Sequence, residues 1–252
     1  MIELKTRIIV GVMLIGLAAL ALFLGNNAMW LLTVTAGLLM MGEWASLTGA
    51  AAYGRTAQLA LCVPLALMAP IAAGPGLLAF GFILGVIVFL TAISRNLKFG
   101  LGTLYIGLPI IALLWIREQP GGLLLTSWAL SLVWATDIGA YFAGRGVGGP
   151  RIAPSISPSK TWAGLVGGMI AALIVGMLLA RYFGLPRNLA LASPILAIAA
   201  QAGDFFESWM KRSAGVKDSG RLLPGHGGAL DRLDGVVTSL PLAAMLIALT
   251  TT

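Results

Sequence analysis

The stretch IIVGVMLIGLAALALFL, Ile8 to Leu24, carries no charged side chain, and runs of this kind recur along the chain. About 18 to 20 consecutive apolar residues are what a helix needs to cross a bilayer. Nine such stretches are legible, at roughly 7–24, 28–48, 57–73, 77–94, 99–116, 122–144, 161–183, 189–210 and 233–250. Charged residues make up 10% of the chain, against about 25% in soluble domains. A water-soluble fold could not hide that much apolar surface. The expectation is therefore an all-α, polytopic membrane protein of about nine transmembrane helices. The first run lacks a small-residue cleavage site, so it reads as a span rather than a cleaved leader.

Lysine and arginine placement predicts the orientation. With the N-terminus in the cytoplasm, 13 of these residues fall in cytoplasmic segments and 3, Arg117, Arg181 and Arg187, fall outside. Basic residues accumulate on the cytoplasmic side, so this orientation is expected, with polar loops 145–160 and 211–232 both cytoplasmic. The net charge of +7 then reflects basic loops beside anionic lipid rather than nucleic-acid binding. The single cysteine, Cys62, excludes an internal disulfide and a cysteine metal cluster.

Acidic residues divide the chain. All five aspartates lie in the second half: Asp137, Asp204, Asp218, Asp231 and Asp234. Residues 1–120 read as hydrophobic scaffold with one buried-looking acid, Glu43, and residues 121–252 as a catalytic membrane domain. In AAQAGDFFESWMKR the spacing places Asp204, Glu207, Ser208 and Lys211 on one helix face. Such a face is costly in a membrane unless paired or wetted; it suits either a snorkelling helix end with a Glu207–Lys211 pair or a site.

Asp231 and Asp234, three apart in GGALDRLDG, fit a helix N-terminus by charge alone. They also suit a divalent cation, since Mg²⁺ takes a few carboxylates together with substrate phosphates. Asp204 and Asp231 could then supply carboxylates from two helices. Between them KDSGRLLPGHGG offers glycine amides to an anion, with Lys217, Arg221, Arg232 and the lone histidine, His226, nearby. His226 suits phosphate binding or acid–base work, and zinc is excluded for want of partner ligands. Asp137 interrupts an apolar span, which makes it a functional candidate. The loop after it carries Arg145, Arg151, Ser157, Lys160 and Thr161, and reads either as a Pro-rich connection or as a phosphate-handling loop.

The order Ser208-x-x-Lys211-Arg212-x4-Lys217-Asp218-x-Gly220-x2-Leu223-Pro224-x-His226-Gly227-Gly228-x-x-Asp231-Arg232-x-Asp234 resembles the signature of the phosphatidate cytidylyltransferase (CDP-diacylglycerol synthase) family. The S-x-S-P-x-K-T-W loop and the upstream D-x-G-A-Y-x-x-G-R are similar to the same family, so the resemblance covers about residues 130–240. Two positions depart from the family pattern: Ser159 stands where a lysine is usual and Ala163 where a glutamate is usual.

The resemblance implies that CTP and phosphatidate give CDP-diacylglycerol and pyrophosphate in phospholipid biosynthesis. It implies Mg²⁺, with a second cation such as K⁺ as an option, on residues matching Asp204 and Asp231, with Asp234 beside them. Asp204, Asp231, Lys211 and His226 are then the expected catalytic set. Asp137, Ser157, Lys160, Thr161, Arg212, Lys217, Asp218, Arg221 and Arg232 are the expected substrate contacts. A homodimer in the cell's inner or plasma membrane, with its site facing the cytoplasm, completes the expectation. A CTP-dependent polyprenol or lipid kinase is the competing enzyme, and an ion-coupled transporter the competing non-enzyme. No internal repeat supports the transporter.

Overall fold

The computed structural model describes residues 2–220 and 227–251, with the side chains of 2–9 and 251 outside the description. Nine α-helices lie among the described residues. They are α1 (Ile2–Leu24), α2 (Asn26–Leu47), α3 (Gly54–Leu67), α4 (Leu77–Ser94), α5 (Leu97–Glu118), α6 (Gly122–Gly146), α7 (Trp162–Phe183), α8 (Arg187–Ser213) and α9 (Leu230–Thr251). A 3₁₀ turn, Ala51–Tyr53, precedes α3. All but α1 and α3 are long and apolar enough to cross a membrane, and the apolar described part of α1, Val10–Leu24, is shorter.

The third expected span, 57–73, is reduced to the 14 residues of α3. The chain turns after Leu67, and Pro70, which has no amide proton to donate, lies in that turn, whereas Pro64 is accommodated inside α3. The Trp30 indole donates to the Leu65 carbonyl at 2.8 Å, beside the Met68 amide that donates to it at 3.2 Å.

The chain divides into two compact units. The first holds Met1–Trp115 and Ser213–Leu233, the second Ile116–Arg212 and Asp234–Thr252. In the first, α2 packs on α1 and α3, and α3 on α4. Trp44 of α2 lies against Gly102 of α5 and donates to the Lys98 carbonyl at 3.0 Å. In the second, α6 and α7 pack most closely: a Cβ on Gly139 would meet Ala171 and the Gly167 backbone. Lipid gives no hydrophobic drive between helices, so close backbone approach through small residues supplies the packing. The Trp128 indole donates to Ser193 Oγ at 3.0 Å, tying α6 to α8. Large apolar side chains such as Phe23, Val88, Ile170, Ile174 and Leu249 point outward, as helices in lipid require.

The connection after α6 is more ordered than a Pro-rich loop. Strands β1 (Arg151–Ala153) and β2 (Ser157–Thr161) form an antiparallel hairpin, with Arg151 opposite Thr161 and Ala153 opposite Ser157. The Trp162 amide closes its base on the Pro150 carbonyl at 3.1 Å.

Candidate active site

The charged face foreseen on α8 exists. Ser208 Oγ reaches Asp204 Oδ1 at 3.4 Å, and Lys211 pairs with Glu207 at 3.3 Å. Glu207 is almost fully buried (3% exposed), so its pairing answers the cost of a membrane carboxylate. Asp204, one turn earlier, is only half-buried.

The hairpin brings the second component. Lys160, on β2, forms an ion pair with Asp204 and sits 4.9 Å from the centre of the Phe205 ring. The two side chains are 18% and 34% exposed, and a pair taken this far out of water regains in attraction roughly what its desolvation costs, so stability does not account for it. The cavity it borders does. That cavity, of about 350 Å³, is lined by Asp137, Tyr141 and Arg145 of α6, by Ser159, Lys160 and Thr161 of the hairpin, by Gly164, and by Gln201 and Asp204 of α8. Its size is that of a small-molecule site. Arg145 donates to the Tyr141 hydroxyl at 2.7 Å, which steadies the guanidinium at the rim.

Asp137, Thr161 and Ser157 behave differently from one another here. Asp137 faces the cavity, within electrostatic reach of Asp204 and Lys160. Thr161 lines it too, but its hydroxyl also accepts from the Gly164 amide at 3.1 Å and so caps α7. Ser157 lies in the hairpin opposite Ala153 and is not among the lining residues. Gln201 was not singled out from sequence. Its amide is buried (6% exposed) and lines the cavity one turn before Asp204; a lone amide at that helical spacing was the available signal.

Asp234 joins this unit through a packing device. A Cβ on Gly203 would run into the Asp234 carbonyl oxygen and the Thr238 side chain. Lacking one, α8 approaches α9 closely enough for Thr238 Oγ1 to donate to the Ala199 carbonyl at 2.7 Å. Asp234 thereby contacts Glu207 and comes within electrostatic reach of Asp204 and Lys160.

Asp231 belongs to the first unit. The last helix begins at Leu230, three residues earlier than the expected 233, so Asp231 stands in its first turn. Its Oδ2 accepts from the Ser219 amide at 2.8 Å, the Ser219 hydroxyl at 2.9 Å and the Gly228 amide at 2.8 Å. Lys217 and Asp218 are exposed, as are Arg212 and Arg232. Arg221 and His226 lie outside the described residues.

Among the described residues no group of three or more His, Cys, Asp or Glu side chains forms a metal cage. Mg²⁺ does not need one: it keeps several waters and takes one or two carboxylates plus substrate phosphates. Asp204, which opens on the cavity, would offer one such carboxylate.

The chain belongs to the Cytidylyltransferase family, whose model matches residues 5–250, and is thus a nucleotidyltransferase carried by membrane helices. Among its relatives, the Phosphatidate cytidylyltransferase of Brucella suis is 37% identical over 250 residues, covering 96% of this chain and 92% of that one. The Rickettsia typhi protein of the same name is 29% identical over 244 residues, covering 93% and 88%. The Haemophilus influenzae protein of that name is 43% identical over 128 residues, covering 48% and 44%. The chain is an integral membrane protein.

Proposed function

We propose that the protein transfers the cytidylyl group of CTP to phosphatidate. A phosphatidate oxygen attacks the α-phosphorus of CTP, the bond between the α-phosphorus and its bridging oxygen breaks, and pyrophosphate leaves. The observation that carries this reading is the cavity where Lys160 and Arg145 stand with Asp137 and Asp204 at the end of membrane helices. Cations there suit phosphate oxygens, and carboxylates suit the divalent ion that accompanies a nucleotide triphosphate. The names of the relatives supply the substrate pair.

The nucleophile is already an anion, so no strong general base is needed. Lys160 and Lys211, with Arg212, Lys217 and Arg221, bind substrate phosphates and the leaving pyrophosphate. His226 binds phosphate rather than taking a proton. Asp204, Asp231 and Asp234 are the carboxylates assigned to Mg²⁺, with K⁺ as a second cation. When bound, Mg²⁺ offsets the negative charge that gathers as two phosphate groups meet. The nine-span arrangement, the cytoplasmic N-terminus and site in the inner or plasma membrane, and a homodimer belong to the same reading, supported by the basic-residue asymmetry and the family.

The test is purified protein with α-labelled CTP, phosphatidate and Mg²⁺. Label entering the lipid fraction is expected. Label recovered wholly in CDP would instead indicate a lipid kinase, in which the γ-phosphate moves and the α-phosphate stays behind.

A further inference from the structure

Glu43 lies in the middle of the hydrophobic scaffold, in MMGEWASL near the end of α2, with no motif around it. Its carboxylate does not face an empty membrane. Oε1 accepts from the Ala229 amide at 2.8 Å, and Oε2 accepts from the Leu230 amide at 2.9 Å. The Ser219 hydroxyl lies 3.0 Å from Glu43 Oε2 and 2.9 Å from Asp231 Oδ2. One hydroxyl proton therefore serves two carboxylates, one at a time. A Cβ on Gly228 would stand 2.5 Å from both Glu43 oxygens, so only glycine lets the chain pass this close. These partners are 176 to 187 residues from Glu43 in sequence.

We propose that Glu43 is a positioning residue for the reaction: it fastens the first amides of α9 and Ser219, and so fixes where the Asp231 carboxylate stands. The inference rests on the reading of Asp231 as a participant in cytidylyl transfer. The physical case is the number of constraints. Asp231 has its Oδ2 held by Ser219 and Gly228, and Ser219 and the residues after Gly228 are held in turn by Glu43. Amide donors at a helix start favour a carboxylate, and here the carboxylate comes from a distant helix rather than from a local cap. The membrane scaffold thus contributes a side chain to the order of the charged segment.

The substitution Glu43→Gln separates charge and geometry from bulk. It keeps one acceptor oxygen but turns an NH₂ group toward an amide donor. In the full-length, detergent-solubilised protein, hydrogen exchange at Gly228, Ala229 and Leu230 is expected to accelerate roughly 10-fold or more, with α4 amides unchanged as a reference. Turnover is expected to fall roughly 10- to 100-fold, since a displacement of order 1 Å costs that much, with KM for CTP and for phosphatidate within about 3-fold of wild type. The Mg²⁺ concentration for half-maximal rate should rise, which a mere loss of folded protein would not produce.

Glu43→Asp, which keeps the charge on a shorter arm, should fall between the two. Should Glu43→Gln fail to fold, Ser219→Ala removes the shared hydroxyl alone and should show the same pattern more weakly. Wild-type exchange at 228–230 in Glu43→Gln, or faster exchange with unchanged turnover and Mg²⁺ dependence, would overturn the proposal. A wild-type protein that moves no α-label into lipid overturns the proposed function instead, and that result is read without any variant.

Discussion

Asp204 and Asp231 are both expected to serve the cation, yet the protein treats them differently. In the first unit, Asp231 Oδ2 takes three hydrogen bonds, two of them from backbone amides. In the second, Asp204 has a lysine ion pair and one long serine contact at 3.4 Å, and opens on a cavity. Backbone donors cannot move without unfolding a turn; a lysine on a four-carbon stem can. One carboxylate is therefore part of the local architecture, and the other is available for exchange of its partner. The Asp204 side chain can therefore change partners at its cavity, whereas the Asp231 carboxylate is fixed within its own segment.

Four substitutions probe that contrast. The largest effect is expected for Asp231→Asn, which should lose both functions. Lipid product should drop about 10³-fold or more, at the upper end of losing a charge-stabilising group. The loss of acceptor strength for three donors should also cost roughly 2–3 kcal/mol of stability. Labelled-product assays and thermal unfolding of the inserted protein check the two parts.

Asp204→Asn should lower turnover roughly 10²- to 10³-fold while costing about 1 kcal/mol of stability, less than Asp231→Asn, since the freed Lys160 still reaches the cavity and solvent. Equal destabilisation in the two variants would erase the distinction drawn here. Next comes Lys160→Met, where the carboxylate stays but its cation is lost. A roughly 10- to 100-fold fall in kcat/KM is expected, as for removing one charged phosphate contact. Titrating CTP and phosphatidate separately would show which substrate Lys160 serves. The smallest effect is expected for Thr161→Ala: about 1 kcal/mol from the lost helix cap, with turnover lowered only as far as the hairpin loosens.

Much of the site was legible because helical periodicity is local. Asp204, Glu207, Ser208 and Lys211 fall on one face by spacing alone, and their contacts in α8 follow it. The apolar runs were legible for the same reason, except at 57–73, where Pro70 and the turn after Leu67 outweighed hydropathy. The hairpin was not legible. Ser157 to Thr161 has no alternating pattern, and its pairing with Arg151 to Ala153 follows a tight turn in which the Ile156 amide donates to the Ala153 carbonyl at 3.1 Å. Thr161 was assigned to substrate from its company with Lys160; a Thr just before a long apolar run also signals a helix cap, and the bond to Gly164 shows that use. Glu43 carried no local signal, because its partners lie at the other end of the chain.

Sequence alone determined that this chain lives in a membrane, since hydropathy and charge are sums over residues and need no coordinates. It also marked the family, because a signature of that length keeps its spacing along the backbone. Tertiary structure alone decided how each carboxylate is held. Lys160 meets Asp204 because a hairpin carries it there, Asp234 comes near because Gly203 has no side chain, and Glu43 grips the start of α9 because Gly228 leaves room for it. Those contacts join residues far apart in the chain, and distance in space is what spacing along a sequence does not encode.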